Sequence, residues 1–151
     1  MIESTNTIRL HRILKTAPAK VYRAFVESTA VSKWLPPHGF TCTIHHFEPL
    51  IGGKFRISFT NFTNGRSQTF GGRFLELIPD VKLRYAESFE DQSMPGEMIV
   101  TVVLQACPAG TELEIEQSGI SAAIPPAMCY LGWQESLDQL ACLVEPDISE
   151  G

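Results

Sequence analysis

The sequence predicts an α+β fold in which a long C-terminal helix packs against an antiparallel sheet of short strands. Residues 125–145 space their apolar side chains at intervals of three and four, which is the period of an amphipathic helix. Six or seven strand-like runs precede this helix, and the tight turns between them are typical of antiparallel neighbours. Two shorter helical runs follow the first strand, which is an unusual order.

The C-terminal helix is predicted to begin at two prolines and to bury one face. Pro125 and Pro126 suit a first turn, because the backbone N–H groups there have no partner within the helix. Burial of Trp133 and of Leu137 would stabilise the fold by roughly 1.5–3 kcal/mol each. The residues on the predicted buried face are Tyr130, Trp133, Leu137, Leu140, Ala141 and Val144.

Alternation and helical spacing divide the rest of the chain into short elements. The two helical runs cover residues 16–26 and 28–35, and Pro36 ends the second of them. Asn64-Gly65 is a strong hairpin signal, because both central positions of that turn need a positive φ. The predicted strands are residues 5–14, 40–47, 54–61, 68–78, 82–89, 97–106 and 111–117.

Length and composition predict a single globular domain, residues 1–151, in the cytoplasm. No run of about 18 apolar residues predicts a membrane span. The N-terminus lacks the basic and apolar segments of a signal peptide. The four cysteines show no CxxC spacing, which favours reduced thiols over a disulfide framework or a zinc site.

The charges are divided unevenly along the chain. Residues 1–84 carry 12 basic and 5 acidic side chains, whereas residues 85–151 carry 12 acidic side chains and no Lys or Arg. Neither half is an unbroken run of charge, so we expect the two halves to meet and neutralise each other. The net charge of −5 argues against binding to nucleic-acid phosphates.

Several motifs, in order, resemble the activator of heat-shock-protein-90 ATPase homologue family, which has the START-like helix-grip fold. The resemblance implies a seven-stranded antiparallel sheet curved around the C-terminal helix, with a cavity between them. It extends over nearly the whole chain, from Thr7 to Glu145. The motifs are residues 33–37 (KWLPP), 52–59 (GGKFRISF), 71–79 (GGRFLELIP), 95–98 (PGEM) and 132–144 (GWQESLDQLACLV).

The implied pairing of the first strand with the last gives the uneven charges a structural role. Arg9 and His11 would face Glu112, Glu114 or Glu116 across the sheet. Ion pairs that are exposed to solvent contribute little, about 0–1 kcal/mol each. These pairs would therefore add little to the stability of the fold.

Two departures from the family pattern bear on the implied cavity. The final strand often carries His-x-Gly, but here it reads Gln117-Ser118-Gly119, which removes a possible proton carrier. An Arg often stands two residues before the paired glycines, and Leu50 occupies that position here. Both changes predict a less polar cavity. The eukaryotic co-chaperone also has a separate N-terminal domain for which this chain has no room, so a chaperone-activating role is not expected.

Polar residues on apolar strand faces are candidate ligand anchors. Arg12, His46, Glu76 and Glu87 share faces with apolar neighbours, and a buried charge must be paired or contact a ligand. Arg12 or Glu87 would then hold a ligand inside the cavity. A β-bulge that shifts the strand face would instead leave these groups in solvent.

Aromatic side chains are predicted to shape the cavity. An aromatic stripe is also typical of solid core, but in this fold part of the core is a ligand pocket. Trp34 is expected near the mouth. The remaining residues predicted to bind ligand are Phe59, Phe74, Tyr85, Phe89, Tyr130, Trp133 and Leu137.

The sequence carries no motif for nucleophilic catalysis, phosphate binding or dinucleotide binding. His45 and His46 are neighbours on a predicted strand and point to opposite faces, so they cannot bind one metal together. We therefore predict no metal ligand, no cofactor and no catalytic residue.

Three functions are compatible with these features. The first is binding of a hydrophobic small molecule, and the second is interaction with a chaperone or another protein client. The third is a cyclase or hydrolase that uses the cavity as a template. No nucleic-acid or membrane partner is expected. Met128, Leu131 and Cys142 interrupt the polar face of the last helix, which indicates a contact with a loop or with a homodimer partner.

Overall fold

Residues 5–149 are the part of the chain that the computed structural model describes, and they form seven strands and three helices. The strands are β1 (Thr5–Leu14), β2 (Phe40–Phe47), β3 (Lys54–Asn61), β4 (Ser67–Ile78), β5 (Lys82–Phe89), β6 (Met98–Cys107) and β7 (Gly110–Ser121). The helices are α1 (Pro18–Val26), α2 (Ser28–Trp34) and α3 (Pro126–Val144). Their order confirms the predicted α+β fold.

The seven strands form one antiparallel sheet in the order β1-β7-β6-β5-β4-β3-β2. The first strand therefore lies beside the last, as the resemblance implied. Helix α3 packs against β1 and helix α2 packs against β2, while α1 contacts β6 and β7. This is the helix-grip arrangement, a curved sheet with a long helix across it.

Six of the ten ion pairs found among residues 5–149 join the basic first part of the chain to the acidic second part. Arg9 Nε lies 3.6 Å from Glu116 Oε2, and His11 Nε2 lies 2.8 Å from Glu112 Oε1 across the β1–β7 pair. On the outer surface of the sheet, Arg56 pairs with Glu90 and Arg73 with Glu97. The prediction that the two parts meet and neutralise each other is confirmed.

Two β-bulges decide where the candidate anchors point. The pairing of β2 with β3 shifts between Ile44 and His46, and that of β4 with β5 shifts between Phe74 and Glu76. His46 is consequently exposed and contacts Glu48, while Glu76 lies near Lys82. An extra residue in a strand moves the following side chains to the other face of the sheet. For His46 and Glu76 this confirms the alternative prediction that a β-bulge turns them away from the cavity.

Helix α3 buries a face that differs at one edge from the predicted one. Trp133 is 8% exposed and Leu137 is fully buried, as predicted, but Tyr130 is 41% exposed, so its predicted inward orientation is wrong. Ser136 is buried instead, and its Oγ donates a hydrogen bond to the Leu35 carbonyl at 2.6 Å. This bond ties the Ser136 edge of α3 to the C-terminal end of α2, while the Tyr130 edge faces solvent.

A close contact between β4 and β5 depends on Gly72. A Cβ at this position would overlap the carbonyl oxygen of Ala86 and would lie 2.8 Å from Phe55 Cζ. The missing side chain leaves room for the Phe55 ring over the centre of the sheet. Gly72 therefore helps to position one wall of the cavity described below.

Candidate functional site

A small cavity lies between strands β2–β5 and helices α1 and α2. Its volume is about 30 Å³. Since one water molecule needs about 10–15 Å³ on this scale, the cavity has room for about two waters. The lining residues are Phe25, Val31, Trp34, Leu35, Phe47, Phe55, Ile57, Phe70, Phe74, Tyr85 and Glu87.

The position of the cavity corrects the prediction that it lies beneath the C-terminal helix. No residue of α3 is among the lining residues. Leu137, Leu140 and Val144 fill the space above the β1 side of the sheet with apolar side chains. The shorter helices cover the other half less completely, so the space remains there.

The predicted site residues fall into two groups. Phe74, Tyr85, Glu87 and Trp34 line the cavity. The others lie outside it, and these are Phe59, Phe89, Tyr130, Trp133, Leu137 and Arg12. None of these placements shows that a ligand binds, so the assignment of ligand-binding residues stays a prediction.

Trp34 forms an inner wall of the cavity rather than its mouth. It is 1% exposed, and its indole Nε1 donates a hydrogen bond to the Ala24 carbonyl at 2.8 Å. Its ring packs edge-on against Phe25, with centroids 4.8 Å apart. The expected place near the mouth is therefore wrong, because the short α2 folds back and buries its last residue against α1.

Phe59 and Phe89 lie beside the cavity, toward the ends of β3 and β5. Both side chains are partly exposed, whereas Phe55 and Phe74 farther along the concave face are 5% and 3% exposed. Phe70 connects the two, with ring centroids 5.0 Å from Phe59 and 6.3 Å from Phe89. An aromatic surface thus continues from the cavity to solvent.

Glu87 ends a hydrogen-bond chain that begins on α3. Trp133 Nε1 donates to Gln117 Oε1 at 3.0 Å, and Gln117 Nε2 donates to Glu87 Oε1 at 3.1 Å. Gln117 Nε2 also lies 3.4 Å from the Met98 sulfur, and Gln117 is 5% exposed. Both ends of the Gln117 amide are thus engaged, and the amide fixes the position of the carboxylate.

Burial raises the pKa of Glu87 to about 7, against a smaller opposing effect of the hydrogen bond from Gln117. Burial also raises the pKa of Tyr85 well above its usual range, and the neighbouring Glu87 charge adds to this. The pKa of the Cys129 thiol on α3 is raised by burial first and by Glu87 second. Near neutral pH, Glu87 is therefore the group in this cluster that changes its charge.

Sequence reasoning missed the role of Gln117, which it treated only as the loss of a family histidine. The signal was present in the alternation of β7, where Leu113, Ile115 and Gln117 share one face. A polar side chain on a buried face needs a hydrogen-bond partner. That requirement pointed to a partner such as Glu87.

Arg12 faces α3 and lies outside the cavity. Its guanidinium donates to Asp138 Oδ1 at 2.8 Å and to the Gln134 carbonyl at 3.3 Å. The side chain is 30% exposed and that of Asp138 is 59% exposed. Arg12 therefore connects β1 to α3. It does not contact the cavity in which it was predicted to bind a ligand.

The histidines contact several different partners. His45 Nε2 lies 2.7 Å from Ser58 Oγ, whereas His46 contacts Glu48. On the outer surface of the sheet, one potential ligand atom from each of His11, Glu112 and Glu114 falls within 4.8 Å of the others. His11 and Glu114 are exposed, and His11 is hydrogen-bonded to Glu112. Such exposed clusters are common without a metal ion.

Residues 15–145 match the family described as activator of Hsp90 ATPase homolog 1-like protein. The chain belongs to this family. The match confirms the resemblance found in the sequence, and it spans all three helices and strands β2–β7. We refer to this family below as the activator-homologue family. Among curated proteins, no match was found.

Solved structures of similar chains show the same fold. The chain is 51% identical to protein CV1439 from Chromobacterium violaceum, with a TM-score of 0.93 over 94% of this chain and 99% of that one. Protein MLL2253 from Mesorhizobium loti is 25% identical, with a TM-score of 0.75 over 95% and 100% of the two chains. A protein from Rhodobacter sphaeroides is 23% identical and has a TM-score of 0.81 over 91% and 90%. At that identity, the likeness shows the fold alone.

Membership in the activator-homologue family supports a ligand-binding or interaction module in general terms. It does not select one reaction or one partner, because a fold can carry many functions. Within residues 5–149, no helix is long and apolar enough to cross a membrane.

Proposed function

We propose that this protein binds an apolar or amphipathic small molecule in the cavity between β2–β5 and the two short helices. The supporting observation is an aromatic lining that contains a single carboxylate, Glu87, held in place by Gln117. Ligand sites are usually concave and apolar, with a few fixed polar groups that orient the ligand. The arrangement around Glu87 has this character.

The size of the cavity limits how such a ligand sits. Drug-sized ligands occupy pockets of about 300–1,000 Å³, far more than the 30 Å³ found here. Only a head group fits inside without movement. The body of the ligand would lie outside the cavity, along the partly exposed rings of Phe59 and Phe89, which Phe70 connects to the lining.

A ligand panel tests this proposal. We expect at least one fatty acid, sterol or aromatic polyketide to raise the melting temperature saturably, because a molecule that binds only the folded state stabilises it. Trp34 lines the cavity, so its fluorescence should change with the same midpoint. The Trp133→Phe variant leaves Trp34 as the remaining indole and assigns the signal.

A matched pair of variants locates the site. Val31→Ile adds one methylene to a residue that lines the cavity, while Val103→Ile adds the same group to a residue that is 36% exposed outside it. We expect the first variant to weaken binding and the second to bind like the wild type. A panel without any stabilising ligand, or a Val31→Ile variant that binds normally, would contradict the proposal.

A second candidate function is interaction with a protein, and a specific surface favours it. Met128 and Leu131 are one helical turn apart on α3 and are 68% and 57% exposed, and the nearby Tyr130 is 41% exposed. An apolar group of this kind is a possible contact for a partner. The family description makes an Hsp90-type chaperone the first partner to test.

The test compares the ATPase rate of such a chaperone with and without this protein. If the helix surface carries the interaction, Leu131→Asp should abolish any stimulation or binding that the wild type shows. Ile148→Asp is the matched control, because Ile148 is 86% exposed and lies beyond α3. Equal behaviour of the two variants would exclude this surface.

A further inference from the structure

The cavity contains an acidic group and no basic one. Among the lining residues, Glu87 is the only side chain that carries a charge near neutral pH, and none is Lys, Arg or His. Gln117 donates one neutral hydrogen bond to Glu87 Oε1, and in the described part of the chain no cation pairs with this carboxylate. A partly buried carboxylate held by one amide donor is under-compensated, because a buried charge needs a partner of opposite charge.

The surroundings of Glu87 favour a positive charge in a second way. The rings of Phe55, Phe74 and Tyr85 lie mutually close, with centroid separations of 5.5, 5.6 and 6.3 Å, and all three line the cavity. Aromatic rings attract cations through their quadrupole, and they offer nothing comparable to an anion. The carboxylate and the rings therefore both favour a ligand group with a positive charge.

We propose that the ligand of this cavity is an amphipathic amine, whose ammonium group pairs with Glu87 and whose apolar body extends past Phe70 along the partly exposed rings of Phe59 and Phe89. This inference rests on the proposed small-molecule function and names the chemical class of the ligand. An ammonium group is small enough for a cavity of about 30 Å³. A neutral head group would leave the Glu87 charge uncompensated, and a carboxylate would be repelled by it.

The pH dependence of binding has a definite sign. The groups that face Glu87 from its neighbouring elements are Tyr85 on its own strand, Met98 on β6, Gln117 on β7 and Cys129 on α3. The two of these that titrate, Tyr85 and Cys129, have raised pKa values and stay neutral around pH 7. Amine binding should therefore follow the ionisation of Glu87 alone, strengthening as the pH rises toward 8.

Three ligands with the same chain separate the possibilities. Octylammonium, 1-octanol and octanoate each have eight carbons and carry a positive, a neutral and a negative head group, and their affinities can be measured by calorimetry at pH 5.5 and pH 8. At pH 8 we expect octylammonium to bind at least tenfold more tightly than octanol, and octanoate to bind most weakly. At pH 5.5 the advantage of octylammonium over octanol should shrink by about tenfold or more, since about 1.5 pH units below the pKa few Glu87 side chains are ionised.

Matched variants assign the effect to one carboxylate. Glu87→Gln should reduce octylammonium binding at pH 8 to the level of octanol. Glu90→Gln removes an equal charge three residues away, where Glu90 is exposed and pairs with Arg56, and it should bind octylammonium like the wild type. Far-UV circular dichroism establishes that both variants are folded.

The outcomes distinguish this inference from the function on which it rests. If octanol or octanoate binds as tightly as octylammonium, or if Glu87→Gln leaves the preference unchanged, the cavity takes a ligand but the amine assignment is wrong. If none of the three ligands binds to the wild type at either pH, and the larger panel also fails, the small-molecule function is wrong as well.

Discussion

Replacing Glu87 by Gln is expected to stabilise the protein at pH 8 and to leave its stability at pH 4.5 nearly unchanged. The pKa of Glu87 is raised to about 7 in the folded chain, whereas an unfolded chain releases this proton near pH 4.3, about the reference value for Glu. Between those two values the folded state holds one proton more than the unfolded state. The free energy of unfolding then falls by about 1.4 kcal/mol for each unit of pH.

The size of the effect follows from the distance between the two pKa values. The interval between about 4.3 and about 7 corresponds to roughly 3.7 kcal/mol. Glu87 keeps some contact with solvent, which screens its charge, so this figure is an upper value. A stabilising contribution from neutral Glu87 is thus complete below about pH 4.3 and is lost as the pH rises through about 7.

Urea unfolding at pH 4.5, 6, 7 and 8 measures the effect of Glu87 on stability. The midpoint and slope of each curve give the free energy of unfolding at that pH. The difference between wild type and Glu87→Gln should grow from near zero at pH 4.5 to between 1 and roughly 3 kcal/mol at pH 8. Glu114→Gln, an exposed carboxylate on β7, is the matched control and should follow the wild-type profile. A Glu87→Gln variant that is less stable than wild type at pH 8 would refute the reasoning, because ionised Glu87 would then be making a favourable contact.

Three further substitutions test the packing around the site, each by urea unfolding. Gly72→Ala places a Cβ where a β5 carbonyl already lies, so we expect the free energy of unfolding to fall by about 1–3 kcal/mol. A fall of less than about 0.5 kcal/mol would show that the two strands move apart at little cost. Trp133→Phe leaves the buried Gln117 oxygen without its donor and should cost about 1–3 kcal/mol. Asp138→Asn weakens a partly exposed pair with Arg12 and should cost less than about 1 kcal/mol; a larger loss would make that contact a main support of α3.

The order of the elements could be predicted because short-range signals agree with the fold at most positions. Strand β3 alternates strictly, and the structure assigns it the predicted bounds, Lys54–Asn61. A hairpin does join β3 to β4 and Gly65 has a φ of +74°, but Asn64 lacks the positive φ that the predicted two-residue turn requires, because the connection is the longer segment 62–66. The bulges near His46 and Glu76 were foreseen only as an alternative, because an inserted residue depends on the partner strand and leaves no separate trace in local alternation.

The site was predicted less completely, for a related reason. Alternation shows which face of the sheet a residue occupies, but it does not show which helix covers that part of the face. Arg12 and Glu87 both lie on the concave face, yet Arg12 meets α3 and Glu87 meets the cavity. The choice between them depends on α3 packing against β1, which is a contact between distant parts of the chain.

Glu87 connects the stability of the fold to the occupancy of the cavity. At pH 8 its charge lowers the stability of the empty protein, since burial raises its pKa to about 7. A cationic ligand would compensate this charge, so the same amine concentration should raise the melting temperature more at pH 8 than at pH 5.5. A neutral ligand in the same place would have the opposite preference, because it fits best when Glu87 is protonated. The sign of this difference therefore reports the charge of the ligand without a structure of the complex, and Glu87→Gln should remove it for both classes.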